Sequence, residues 1–100
     1  MALATAACAV VLAAARAQAP TPEQIDEGRL VYEEFCQTCH GRDMAASGAV
    51  TYDLRKFPKD DAKRFRTSVL DGKGPAMPPW RGRLSDADVD VLWAYVVGGP

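Results

Sequence analysis

Apolar residues recur at helical spacing in three stretches of the chain. The first opens with Thr21-Pro22-Glu23-Gln24, a threonine cap with proline at the first helical position and glutamine three residues after the cap. Ile25, Gly28, Tyr32 and Phe35 or Cys36 then share one face, so this helix leads directly into the segment that begins at Cys36. A second helix is predicted over Asp60 to Asp71, with Ala62, Phe65 and Val69 inward, acidic residues in its first turn and Gly72 as its stop. In the third, Ser85 forms a cap with Asp88, and Val89, Leu92, Trp93 and Val96 make one apolar stripe before Gly98 ends it. Ala49 to Leu54 is short and bounded by Gly48 and Asp53, which makes it a loop and leaves no predicted strand. The pattern predicts an all-α fold of three or more helices, without repeats or low-complexity linkers.

Ahead of residue 20 the pattern changes. Ala2 to Ala15 is an almost unbroken, alanine-rich apolar run, and Ala17-Gln18-Ala19 fits the small-x-small cleavage site of a secretory signal peptide. This divides the chain into a signal peptide, residues 1–19, and one domain, residues 20–100, destined for the periplasm. No Lys or Arg precedes the run; either the true start lies elsewhere or the free amino terminus carries the positive charge alone. The run is too short for a membrane span, so no stable membrane insertion is expected after processing. Cys8 lies inside it, with Thr5 rather than an aliphatic residue three positions before, and reads as a small apolar residue lost on cleavage.

A domain of this size has a marginal hydrophobic core and needs a staple or a cofactor. Cys36-Gln37-Thr38-Cys39-His40 supplies the chemistry for one. Two thiols separated by two residues add to the two vinyl groups of a porphyrin, and the histidine that follows becomes the proximal iron ligand, the attachment signature of a covalently bound haem c. Zinc is disfavoured: a closed site needs four ligands, and the processed chain offers two cysteines and one histidine. A redox dithiol is the remaining alternative, although that motif normally follows a strand and the flanks here are helical. With one haem as the staple, the apoprotein is expected to be poorly folded.

Charge is unevenly distributed. With Arg16 lost in the leader, eleven basic residues face thirteen acidic ones, but Pro20 to Leu54 carries a balance of −5 and Arg55 to Arg83 one of +6. Asp86, Asp88 and Asp90 follow. The domain therefore carries a dipole with its basic end mid-chain, either an ordinary solvated face or a steering patch for an acidic partner. The slightly acidic total and the lack of any reader motif argue against nucleic acid.

On these residues the domain resembles a class I monohaem cytochrome c of the small bacterial periplasmic type. Gly28, Tyr32 and Cys36 resemble the family's first helix, in which a glycine lets the last helix cross closely, and Leu92 and Tyr95 match that last helix. The resemblance implies a distal iron ligand from a methionine in a proline-rich loop, and Gly74-Pro75-Ala76-Met77-Pro78-Pro79-Trp80 is such a loop. Met44 is the rival, but only four residues past His40 it should stay on the proximal side. The family often orients the proximal histidine through a proline carbonyl. No Gly-Pro pair occurs between Gly41 and Phe57, so another carbonyl in that stretch is expected to accept the ring N–H. Arg42, Arg55, Arg81 and Trp80 are candidates for contacts to the propionates or the haem edge.

With His40 and Met77 on the iron, no coordination position is open, which suits single-electron transfer rather than bond making. No acid–base or nucleophile constellation competes, because His40 is the only histidine, so the chain is not expected to be an enzyme. Expected partners are a dehydrogenase that donates electrons and an oxidase or reductase that accepts them, both transient and electrostatically steered. Tyr52 to Pro58 and Met77 to Trp80 are similar to cytochromes serving quinoprotein alcohol dehydrogenases. The alternatives are a haem protein with an open distal site, ligand-binding or peroxidatic, and a haem-free dithiol redox protein.

Overall fold

A computed structural model describes residues 19–46 and 51–100. Among them the chain forms four α-helices and no strand: α1 Pro22–Phe35, α2 Gln37–His40, α3 Ala62–Asp71 and α4 Asp86–Gly98. Single 3-10 turns occupy Arg42–Met44, Leu54–Lys56 and Gly74–Ala76. Two helices start where their caps predict. Thr21 Oγ1 accepts from the Gln24 N–H at 3.2 Å while Gln24 Oε1 accepts from the Thr21 N–H at 2.9 Å. Ser85 and Asp88 exchange the equivalent pair at 3.0 and 2.9 Å.

The helix α1 crosses α4 at Gly28. A Cβ there would lie 1.8 Å from the Val91 carbonyl oxygen and 2.8 Å from Tyr95 Cβ, so only glycine lets the two backbones meet. One turn further on, the fully buried Tyr32 ring packs on Tyr95 with centroids 5.2 Å apart. Val89, Leu92 and Val96 continue this core from α4, and Phe65, Val69 and Leu70 enter it from α3. The buried surface of α4 is broader than the predicted stripe. Ala94 and Tyr95 are buried as well, whereas Trp93 is half-buried, because α1 and α3 both pack against α4.

The start of α3 differs from the sequence reading. Asp61 is its cap, accepting from the Arg64 N–H at 3.1 Å, so Asp60 and Asp61 precede the helix instead of filling its first turn. Ala62, expected inward, is exposed: it occupies the first helical position, and the packed part of the face begins at Phe65. Gly72 stops the helix as predicted, at φ +76° with its N–H on the Ser68 carbonyl at 3.0 Å. In α4 the last helical residue is Gly98 itself, with Gly99 as the cap. The single turn α2 is too short to leave a periodic trace in the sequence.

Apart from Ala19, the predicted leader with Cys8 lies outside the described residues, as do Gly48, Ala49 and Val50 of the predicted loop. No described helix is long and apolar enough to cross a membrane.

Candidate functional site

Cys36, Cys39 and His40 stand on one helical turn. The Cys36 N–H still bonds the Tyr32 carbonyl of α1 at 2.9 Å, and the His40 N–H bonds the Cys36 carbonyl at 2.9 Å. Spacings of three and four residues put all three side chains on the same face. That face opens on a cavity of about 420 Å³, within the range of sites that enclose a large ligand. Tyr32 and Phe35 bound it from α1, Phe65 and Val69 from α3, and Leu92 and Val96 from α4. Aromatic edges build the remaining wall: Phe57 meets Phe65 at 5.6 Å and Trp93 at 5.9 Å, and Phe35 meets Trp80 at 5.5 Å.

Met77 lines the same cavity. Its loop is stitched to the end of α3 by backbone bonds, from the Lys73 N–H to the Met77 carbonyl at 3.0 Å and from the Trp80 and Arg81 N–H groups to Val69 and Leu70 at 3.1 Å. Gly72 permits this closure, since a Cβ there would lie 2.6 Å from the Met77 carbonyl oxygen. Met44, the rival methionine, is buried in the core and does not line the cavity.

The His40 ring is oriented by backbone. Nδ1 lies 3.0 Å from the Tyr52 carbonyl oxygen, which can only accept, so Nδ1 carries the proton and Nε2 keeps its lone pair for a metal. This is the carbonyl expected between Gly41 and Phe57. Burial pushes the Cys36 thiol up to about 12, with the neighbouring Cys39 adding to the rise. Thiol–disulfide exchange works through a lowered thiol pKa, so this environment does not favour the dithiol alternative.

Of the polar candidates, only Trp80 lines the cavity. Arg42 is exposed, Arg55 is held in a two-pronged contact with Asp53 at 2.9 and 2.6 Å, and Arg81 pairs with Asp71 at 2.7 Å. Arg64 and Lys73 line it instead. Among the described residues neither has an ion-pair partner, and the Arg64 guanidinium stands 4.9 Å over the Phe57 ring. A helical projection of α3 places Arg64 with the apolar face: Arg64, Phe65, Ser68 and Val69 all turn toward the cavity.

These residues fit a haem. The walls are mainly aromatic and aliphatic, the donor set of two thiols, an imidazole and a thioether suits a covalently held iron porphyrin, and two unneutralised cations are available for two propionates. The all-α build and this donor set define a c-type cytochrome. Comparison with known proteins agrees: the family model described as "Cytochrome C oxidase, cbb3-type, subunit III" matches residues 23–96, and the chain belongs to the cytochrome c family as a class I monohaem member. Its cofactor is covalently attached haem c, and its chemistry is haem-based electron transfer.

The chain is 32% identical over 78 residues to quinohemoprotein alcohol dehydrogenase ADH IIB of Pseudomonas putida, a match covering 76% of this chain but 11% of that protein. It therefore spans about a tenth of that relative's length. Cytochrome c6 of Microcystis aeruginosa is 35% identical over 75 residues, covering 71% of this chain and 91% of that one. Among solved structures, the c-type cytochrome SorU from Sinorhizobium meliloti superposes with a TM-score of 0.59 at 32% identity, over 77% of this chain and 91% of its own. The relatives thus include both small cytochromes and a stretch of an enzyme.

Proposed function

We propose that this protein is a periplasmic single-electron carrier in which Cys36 and Cys39 hold the haem through thioethers and His40 and Met77 ligate the iron. The observation that carries the proposal is that these four residues, from two distant segments, line one apolar cavity. Haem c supplies a one-electron ferric–ferrous couple, and a thioether ligand raises its potential by favouring the ferrous form. The protein's own residues do the rest. The Tyr52 carbonyl keeps the His40 ring in one tautomer, the stitched loop fixes the Met77 backbone at the cavity, and aromatic side chains give the iron a low-polarity wall. With His40 and Met77 both on the iron, no position would be left for a substrate, and the chain would carry electrons rather than make or break bonds.

Arg64 and Lys73, together with Lys63, also border a second depression beside the cavity. Arg66 and Arg81, by contrast, are already neutralised by aspartates. We take Lys63, exposed beside the cavity-lining Arg64 and Lys73, as the steering charge of the basic mid-chain segment, facing an acidic docking surface on a transient partner. The similarity to ADH IIB favours a quinoprotein alcohol dehydrogenase as donor, with a terminal oxidase or reductase as acceptor. Lys63→Glu is expected to slow electron uptake from such a dehydrogenase several-fold at low salt, and Arg81→Glu to slow it less.

Optical spectra of the secreted protein test the ligation. Pyridine haemochrome of the c type together with the weak far-red sulfur-to-iron band of the oxidised form is expected. Haem without that band would favour an open distal site, and no haem would return Cys36 and Cys39 to thiol chemistry.

A further inference from the structure

Among the described residues only two other than glycine have a left-handed backbone, Asp43 at φ 55° and Met44 at φ 64°, three and four positions after His40. Asparagine and aspartate tolerate this conformation; methionine does so at a cost, and strain of this kind persists where the surroundings over-determine it. Here the surroundings are specific. The Tyr32 hydroxyl donates to the Gly41 carbonyl, the first one after His40. Gly41 has φ +85°, its N–H bonds the Gln37 carbonyl at 2.8 Å, and a Cβ on it would lie 2.2 Å from the Ala45 carbonyl oxygen. Met44 is buried at 1% exposure, so the turn folds inward under the Tyr32 oxygen. Burial pushes the Tyr32 pKa far above the ordinary phenol value, so the hydroxyl remains a donor.

The ring that carries this hydroxyl is itself fixed. It is fully buried, packs on Tyr95, and lies one turn beyond the Gly28 crossing. A phenylalanine would satisfy that packing equally well, so the scaffold alone gives no reason for the oxygen. We propose that Tyr32 is a positioning residue for the iron's histidine: through the Gly41 carbonyl its hydroxyl closes the strained turn after His40 and fixes the imidazole against the helix crossing. The inference rests on the reading that His40 ligates the iron.

The test uses the holoprotein with Tyr32→Phe, and Tyr95→Phe as the control, since Tyr95 is the ring partner and its phenol feels the Asp43 charge but, among the described residues, has no side-chain hydrogen bond to the Gly41 carbonyl that Tyr32 holds. The readouts are the hyperfine-shifted proton resonances of the His40 ring in the ferric state and the midpoint potential. Tyr32→Phe is expected to move those resonances. It should also change the ferrous-to-ferric ratio at fixed poise by about threefold, about 28 mV for one electron, because the Gly41 carbonyl and the Met44 N–H both lose the hydroxyl that offsets their dipoles beside His40. Tyr95→Phe leaves both unchanged. In an Asp43→Gly background, where glycine relieves the strain, the Tyr32→Phe shift shrinks. Wild-type resonances and potential in Tyr32→Phe, an equal change in Tyr95→Phe, or an undiminished shift in the Asp43→Gly background would each overturn the proposal. If Tyr32→Phe alone yields no holoprotein, its recovery by Asp43→Gly supports the proposal and failure to recover counts against it. Absence of any shifted histidine resonance in the wild type would instead refute the ligation reading, a separate outcome.

Discussion

At the α1–α4 crossing, position is set by shape: Gly28 admits the Val91 backbone, and Tyr32, Tyr95 and Leu92 fill the space around it. In the loops on either side of α3, position is set by single hydrogen bonds, from His40 Nδ1 to the Tyr52 carbonyl, from the Lys73 N–H to the Met77 carbonyl, and from the Trp80 and Arg81 N–H groups to the end of α3. Close packing tolerates almost no change in volume, whereas a loop held by a few hydrogen bonds gives way locally. On the proposed ligation, the proximal ligand His40 would sit at the end of the rigid element and the distal ligand Met77 on the adjustable one. That division suits an electron carrier, in which one ligand fixes the haem and the other sets its potential.

The sharpest test of the rigid side is Gly28→Ala. The added Cβ meets backbone that cannot rotate away, so a loss of about 3 kcal/mol in denaturant unfolding of the holoprotein is expected. A cost below about 1 kcal/mol would mean that the crossing is as forgiving as the loops. A smaller effect is expected at the seam between α3 and α4, where Arg66 bridges Asp86 at 2.8 Å and Asp90 at 2.5 Å. All three side chains are exposed, so Arg66→Ala should cost about 0.5 kcal/mol and lose that effect in high salt.

The smallest effect lies in the adjustable segment and depends on pH. The Arg55 side chain hydrogen-bonds Asp53 and holds its carboxyl down to about 2, from an ordinary value of 3.8. A depressed folded-state pKa gives stability that is present above the unfolded value and lost as pH falls through the folded one. Asp53→Asn keeps a capping side chain for the Leu54–Lys56 turn but removes the charge. Its acid unfolding curve should therefore be flatter between pH of about 4 and about 2. Superimposable acid limbs would show that the Asp53–Arg55 pair contributes nothing to this segment.

The same contrast explains what the sequence made legible. Caps at Thr21 and Ser85 and the Cys-x-x-Cys-His turn depend on neighbours within four residues, so they are written locally, whereas Gly28 answers to Val91 and Tyr95 on α4 and was legible only through the family resemblance. The Tyr52 carbonyl is a backbone atom that any residue could supply, and no side-chain pattern marks it. The partner of Arg81, Asp71, lies ten residues away and leaves no local mark, whereas the Arg55–Asp53 pair spans two residues and is legible in the sequence. Arg64 is a charged residue on the otherwise apolar side of α3, beside Phe65, so apolar periodicity does not mark it.

The central claim, that Met77 closes the distal side of the iron, is tested most directly by anaerobic carbon monoxide titration of the ferrous protein alongside Met77→Ala. The account predicts no binding by the wild type and stoichiometric binding by the variant. Ready binding by the wild type, or an unchanged ferrous spectrum in Met77→Ala, would contradict it.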